Sequence, residues 1–273
     1  MKPLIATQSA AADLRPLSAA VLILVSLQSF AAGESCATRS AASRVTVLEL
    51  YTSEGCNSCP PADRWVSALP AKGFTPDRVI ALAFHVDYWD QLGWPDRMAK
   101  AQFSARQRMQ AERNRASVVY TPQLLLNGAD YRSSFSDIRF GERVSELNRL
   151  PAAADLFLRQ RPVTSGVEVE LDMQLKQRAA AGESQTYIAI TENRLQSAIQ
   201  AGENRGKLLH HDFVVRELAG PLPMGKTGSL HWKSAMALHP DWKRPDLSLV
   251  AFVQDARSGE ILQALHAPLC TRP

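Results

Sequence analysis

The sequence predicts an α/β domain over residues 44–161, followed by a mostly β, sandwich-like domain over residues 162–273. Two observations carry that division. Residues 45–160 alternate strand-like and helix-like stretches, the order that lays helices on a partly parallel sheet. After Arg161-Pro162 the texture changes to short strands separated by Gly-rich or Pro-rich turns, as in a sandwich. Composition bounds the rest: 273 residues, 45% hydrophobic and 21% charged, exclude disorder as the main state and a disulfide-dense mini-scaffold. Lys plus Arg is 31 and Asp plus Glu is 27, a net charge of +4. No basic stripe gathers that charge, so no nucleic-acid partner is assigned.

Residues 1–33 read as an export signal peptide. Lys2 and Arg15 supply the positive flank, diluted by Asp13, and Leu17 to Phe30 carries no charge. Ser29, Ala31, Ala32 and Gly33 give the small residues of a cleavage site. The competing reading is an uncleaved anchor, but the uncharged run is short for a span of ~20 residues. The expectation is a periplasmic or secreted protein with no stable membrane anchor after cleavage.

Residues 34–43 are small and polar and read as a flexible lead-in. Val45 to Tyr51 is an apolar, β-rich segment. Thr52 to Pro61 follows, then Ala62 to Leu69 at helical spacing, with Trp65, Val66 and Leu69 on one face. Val79 to Phe84 is apolar at every position, the mark of a central parallel strand. Asp96 is placed to cap a helix running to about Asn114. Arg97, Lys100, Arg106 and Arg108 read as its solvated face. Val118-Val119-Tyr120 and Gln123 to Gly128 bracket Thr121-Pro122 as a strand with its turn, and residues 136–160 read as a helix broken near Pro151. Beyond 162, strands are expected at 167–175, 185–192, 213–218, 229–237 and 247–254. Val167 to Leu171 alternates strictly, as a half-buried antiparallel strand does.

The four cysteines are Cys36, Cys56, Cys59 and Cys270. In an oxidising compartment disulfides persist, and four cysteines allow three pairings. The economical one joins Cys56 to Cys59 and Cys36 to Cys270, the second bridge tying together the ends of the mature chain. Two unrelated free thiols are the alternative.

Cys56-Asn57-Ser58-Cys59 stands at a strand-to-helix junction. A helix N-terminus directs N–H groups and partial positive charge at such a residue and favours thiolate, which makes Cys56 the nucleophile. Cys59, one turn on, resolves the mixed disulfide. Pro60 and Pro61 qualify this. A residue before proline avoids the α region, so the helix is expected to start at Pro61, with Cys56 farther from the dipole.

With the strand Val45–Tyr51, the Cys-x-x-Cys and Tyr120-Thr121-Pro122-Gln123 before a strand, the sequence resembles the thioredoxin-like superfamily. The resemblance implies a cis proline at Pro122 lying against the cysteine pair, where the Thr121 backbone receives a partner chain. Residues 50–63, Ala83 to Asp90, Tyr120 to Gln123 and His211 to Arg216 together resemble a secreted group, domain-of-unknown-function family 1223, over about residues 44–268. The implied fold is thioredoxin-like, and the family carries no established substrate.

His85, Asp87 and Asp90 follow the second strand, at the sheet end where open α/β folds bind ligands. His85 is a candidate to protonate a leaving thiolate and Asp87 to act as a general base. The alternative makes both of them hydrogen-bonded loop anchors. Tyr88, Trp89 and Trp94 are read either as a groove for a peptide or as a contact between domains. Glu54 is read as solvated surface. His210-His211-Asp212 invites a metal, but adjacent strand residues point to opposite faces. Gly225-Lys226-Thr227-Gly228 lacks the spacing of a phosphate loop.

The function expected is an exported thiol–disulfide oxidoreductase that acts on a thiol- or disulfide-containing protein or a small thiol, with no cofactor and no metal. The alternatives are a binding module with a structural Cys56–Cys59 bridge and a copper or zinc metallochaperone.

Overall fold

A strand apolar at every position must be covered on both faces and paired along both edges. The computed structural model describes residue 1 and residues 35–132, 135–177, 184–225 and 227–271. In it, the run at 79–84 lies inside an eight-stranded mixed sheet. In chain order the elements are β1 (Cys36–Arg39), β2 (Thr46–Thr52), α1 (Pro60–Ser67), β3 (Val79–His85), α2 (Ala101–Arg113), β4 (Gln123–Leu126), β5 (Ala129–Asp130), α3 (Asp137–Asn148), β6 (Ala154–Val163), β7 (Gly166–Leu175), β8 (Ser184–Glu192), β9 (Leu195–Ala198), β10 (Leu208–His211), β11 (Val214–Leu222), β12 (Ser229–Ala237), β13 (Leu247–Asp255) and β14 (Ile261–Pro268). The large sheet runs β14-β13-β8-β11-β3-β2-β4-β5, a second sheet runs β1-β6-β7-β12, and β9 pairs with β10. Strands β2 and β3 are parallel, with Thr52 opposite His85. Strand β11 meets β3 in parallel at Val214 and Ala83.

Side-chain alternation divides the core. One face of the large sheet presents Tyr51, Ile80, Leu82, Phe84, Ala189 and Phe252 to Phe103 of α2. The opposite face is shared. At the β2–β3–β4 end, Leu48, Leu50, Ala81 and Leu124 meet Trp65 and Val66 of α1 and Phe140 and Val144 of α3. At the β8–β13–β14 end, Ile188, Ile190, Leu249 and Leu265 meet Leu156, Leu158, Val169 and Leu171 of the second sheet. Beneath α2, Arg106 makes paired hydrogen bonds to Glu49 at 2.9 and 2.8 Å and reaches Gln254 at 3.3 Å, joining β2, α2 and β13. Between β4 and β5, Asn127 and Gly128 both hold positive φ, 49° and 85°, the backbone a two-residue hairpin turn requires.

Several expectations are corrected. No break between domains falls at 161/162. Strands β8, β11, β13 and β14 extend the same sheet as β2, β3 and β4, and Gly33–Pro273 form one compact unit. The reason is the second edge of β3: β2 fills one, and only β11 reaches the other. The sandwich expectation survives in altered form, because its second sheet is the far half of the large one. The lead-in is a strand where β1 pairs with β6. Residues 154–160 are β6, not helix, and place Ala154, Leu156 and Leu158 inward. Arg106 is 3% exposed, not solvated, because Glu49 takes its charge inside. The expected leader, apart from Met1, lies outside the described residues, as does Lys226 of Gly225–Gly228.

Candidate functional site

Strand β2 ends at Thr52, and Ser53 to Gly55 turn the chain into the Cys-x-x-Cys. Gly55 packs closely there: a Cβ would lie 3.2 Å from Cβ of Trp89. Cys56 and Cys59 are disulfide-bonded, with Cα atoms 5.4 Å apart. Cys36 and Cys270 form the second bridge, with Cα atoms 5.8 Å apart. The helix begins at Pro60, one residue earlier than expected, with Cys59 as its N-cap in the α region (φ −75°, ψ −39°). Cys59 N–H bonds back to Cys56 O at 3.2 Å, and Ala62 and Asp63 N–H bond to Cys59 O. The turn thus runs continuously into α1, and Pro60 has no N–H to leave unpaired. Both cysteines are 0% exposed, while Asn57 and Ser58 face solvent.

Their cover comes from the β9–β10 hairpin. Asn204 donates from Nδ2 to Glu54 O at 2.8 Å and to Cys56 O at 2.9 Å. Asn57 N–H donates to the Glu203 carboxylate at 3.1 Å. His211, at the end of β10, reaches the interior.

Five ionisable side chains are buried at and behind the cysteine turn: Glu54 two residues before Cys56, Asp63 on α1, His85, Asp96 and His211. His85 Nδ1 and Asp96 Oδ2 are 2.6 Å apart. Asp96 also accepts the N–H groups of Glu54 and Met98, at 2.9 Å each. Burial opposes its charge, but His85 and these bonds outweigh that and hold its carboxyl at about 2. Burial likewise opposes the charged form of His85, and the carboxylates of Asp96, Asp63 and Glu54 push its pKa up. Glu54 accepts from the Trp94 indole at 2.7 Å. Burial disfavours its charge, but the neighbouring His211, Ser197 and Trp94 bring its pKa down. Asp63, on α1, accepts from Thr52 Oγ1 at 3.2 Å. Its pKa rises, because burial exceeds what His211, His85 and Thr52 offset. His211 Nε2 lies 3.4 Å from Glu54 Oε1 and its Nδ1 4.0 Å from Asp63 Oδ1. The two imidazoles meet edge to face at 4.9 Å.

The other expected residues divide. Thr121-Pro122 is a cis peptide. Gln123 pairs with Tyr51, which sets Pro122 beside the end of β2, just before the cysteine turn. Tyr88 and Gln107 hold this loop, Gln107 donating to Tyr120 O at 2.8 Å. Beside Pro122 lies a groove of about 550 Å³ lined by Val118, Tyr120, Leu124, Tyr131, Arg132 and Phe135. Trp89 packs against Gly55. Asp87 is drawn away from the cluster to α2, where Ser104 Oγ donates to it at 2.5 Å.

Sequence reasoning missed four members. Glu54 is 0% exposed instead of solvated, since Trp94 and His211 give it partners inside. Asp96 binds His85, while α2 begins at Ala101 with no side-chain cap. Asp63 and Asn204 were not singled out; an Asp on the apolar face of a short helix was the available signal for the first. His210 is exposed and His211 buried, as strand alternation requires. Among the described residues, the group of three metal-ligand types within 4.8 Å of one another is Glu170, Asp172 and His231, on the second sheet and far in sequence from this cluster. Arg159 already pairs with both of its carboxylates.

Two solved structures resemble the chain. A crystal structure of a protein from Agrobacterium tumefaciens is 25% identical, with a TM-score of 0.61, and the match covers 85% of this chain and 98% of that one. HBP35 of Porphyromonas gingivalis is 16% identical, with a TM-score of 0.63 over 84% of this chain and 76% of that one, a likeness of fold alone. No curated protein matches the chain. The family model described as "Protein of unknown function (DUF1223)" matches residues 47–254, and the chain belongs to that family.

Proposed function

We propose that the protein is a thioredoxin-like thiol–disulfide exchange protein working outside the cytoplasm, with Cys56 as the exchanging sulfur and Cys59 as the resolving one. The observation that carries the reading is the set of five buried ionisable side chains in contact with one another at the cysteine turn, where Glu54 lies two residues before Cys56 and Asp63 N–H bonds to Cys59 O. Burying charge costs several kcal/mol per group unless it is well paired. A bridge serving only as a staple has no need of such groups, whereas exchange must place protons on sulfur. Two disulfides and the leader-like residues 1–33 support an oxidising compartment. The groove beside Thr121-Pro122 suits a polypeptide thiol partner.

In this reading a partner thiolate attacks Sγ of Cys56, and the Cys56–Cys59 bond breaks with its electron pair on Cys59. A second partner thiol then releases Cys56 as the partner becomes a disulfide. The forward sequence thus oxidises the partner dithiol and reduces the Cys56–Cys59 pair; the reverse sequence reduces a partner disulfide. Because both cysteines are covered, exchange requires the 199–207 segment to swing off Cys56.

That same burial favours a second reading, in which Cys56–Cys59 is a structural bridge in a binding module. Alkylation mass spectrometry through glutathione buffers separates the two. A couple between about −120 and −270 mV is expected for a working oxidoreductase, and one below about −300 mV makes the bridge structural and overturns the exchange reading. Cys56→Ser is expected to abolish reduction of a model disulfide and Cys59→Ser to accumulate mixed disulfides. Full activity in Cys56→Ser rejects the mechanism.

A further inference from the structure

One member of the buried cluster is left without a settled partner. His211 is 2% exposed, and neither ring nitrogen has a hydrogen-bond partner among the described residues. Buried polar groups are ordinarily bonded, so such a ring calls for an explanation. The groups facing it come from three other elements: Glu54 from the β2–α1 turn, Asp63 from α1 and His85 from β3. Asp96, from the segment before α2, stands behind His85. The other members each have at least one committed atom, though His85 Nε2 has no hydrogen-bond partner among the described residues. Asp96 holds His85, Trp94 holds one oxygen of Glu54, and Thr52 holds one oxygen of Asp63. What remains is an imidazole edge set between the free oxygen of Glu54 and that of Asp63. Asp63 lies one helical turn beyond Cys59 and bonds to its carbonyl at 3.1 Å.

A thiolate on Cys59, which is 0% exposed, would be buried, and desolvation disfavours it. Reduction therefore needs a proton delivered inside the cover. We propose that His211 holds the proton that Cys59 takes up when the Cys56–Cys59 bond is reduced, with Asp63 and Glu54 facing its two ring nitrogens and fixing the ring. This rests on the exchange reading above. A partner thiolate forms a bond to Sγ of Cys56, and the electron pair of the broken bond goes to Sγ of Cys59. His211 gives up its proton, Cys59 becomes a thiol, and the imidazole is left neutral. The partner's second thiolate attacks the partner sulfur of the mixed disulfide, and Cys56 leaves with its electron pair and takes a proton from water. The partner dithiol has lost two electrons and two protons to form its disulfide. The cysteine pair has gained both, and solvent recharges His211.

The test is the rate of reduction of the full oxidised chain by dithiothreitol between about pH 5 and 9, divided by the dithiothreitol thiolate concentration. The wild-type rate so normalised is expected to fall as pH rises and the imidazole loses its proton. In His211→Gln that fall is expected to vanish, with the rate at neutral pH lower by about 100-fold. Asp63→Asn, which keeps the imidazole but removes the carboxylate facing its Nδ1, is expected to lower the rate at neutral pH; it serves if His211→Gln does not fold. A wild-type rate and profile in both variants overturn the assignment and leave the exchange reading standing. A wild-type bridge that dithiothreitol reduces only after denaturation overturns both.

Discussion

His85 and Asp96 form the tightest ion pair of the site, 2.6 Å apart and fully buried. Neither is a partner the other finds by sequence proximity; β3 ends on one and a loop returns the other. Removing one member of a buried pair costs about 3–5 kcal/mol, because the survivor keeps an uncompensated charge. Asp96→Asn is therefore expected to lower unfolding stability in urea by that amount near pH 6. The pH dependence has a definite sign. Asp96 is held at about 2 in the folded chain, below its unfolded value of about 3.9. Its contribution is present above pH ~4 and is lost as pH falls towards 2. The His85 pKa is raised on folding. Its contribution is complete below its unfolded value of about 6.5 and is lost as pH rises through the higher folded one. The stability gap between wild type and Asp96→Asn should be widest between about pH 4 and 6.5. A gap that stays constant from pH 2 to 9 removes the ion pair from the account. The cysteine pair and His85 were legible as chemistry from their types and positions. Glu54 and Asp96 were not, since a carboxylate read alone defaults to solvent and only its buried partners reverse that default.

At the scale of elements, the β9–β10 hairpin and its 199–207 tip govern access. Asn204 satisfies two carbonyls on the cysteine turn, and a lost buried hydrogen bond costs about 1–3 kcal/mol. Asn204→Ala should raise the rate of glutathione attack on Cys56 by about tenfold or more, since every ~1.4 kcal/mol is a factor of ten in the open population. An unchanged rate would show that access does not depend on this hairpin. The Asn127-Gly128 turn makes a different prediction. A Cβ on Gly128 would meet Gly259 O at 2.0 Å, and its φ is +85°. Gly128→Ala is expected to destabilise by at least ~1 kcal/mol, read as a lower urea midpoint. In the sequence, Asn127-Gly128 closes the strand-like stretch 123–128. The strand register that presses it against the β13–β14 turn was not legible there.

Across the whole molecule, the Arg161-Pro162 junction looked like a domain boundary and is a short connection within one body. The Glu49–Arg106–Gln254 network and the β3–β11 pairing both cross it. Residues 44–161 expressed alone leave β3 with an open apolar edge and Arg106 without Gln254. The expectation is a fragment with no cooperative urea transition; a sharp two-state unfolding curve would restore the two-domain division. The Cys36–Cys270 bridge ties β1 to the tail after β14. By loss of chain entropy, a loop so long stabilises by up to ~4–5 kcal/mol. Cys36→Ser with Cys270→Ser should lower unfolding stability by up to that amount and loosen β1 first, detectable by hydrogen exchange at residues 36–39.

Local chemistry was determined by the sequence itself. Continuous apolar runs marked the central strands, alternation marked β7, helical spacing marked the buried face of α1, and the count and spacing of four cysteines marked two bridges. These features depend on neighbours within a few residues, where period and spacing act directly. What the tertiary structure alone decided was long-range: which strand fills the second edge of β3, which hairpin covers Cys56, and which carboxylates meet His85 and His211. Those contacts join positions 150 residues apart and more, as Asn204 and Glu54 are, and His211 and Glu54. Each side chain there is polar, and its burial becomes favourable only once the distant partner has arrived.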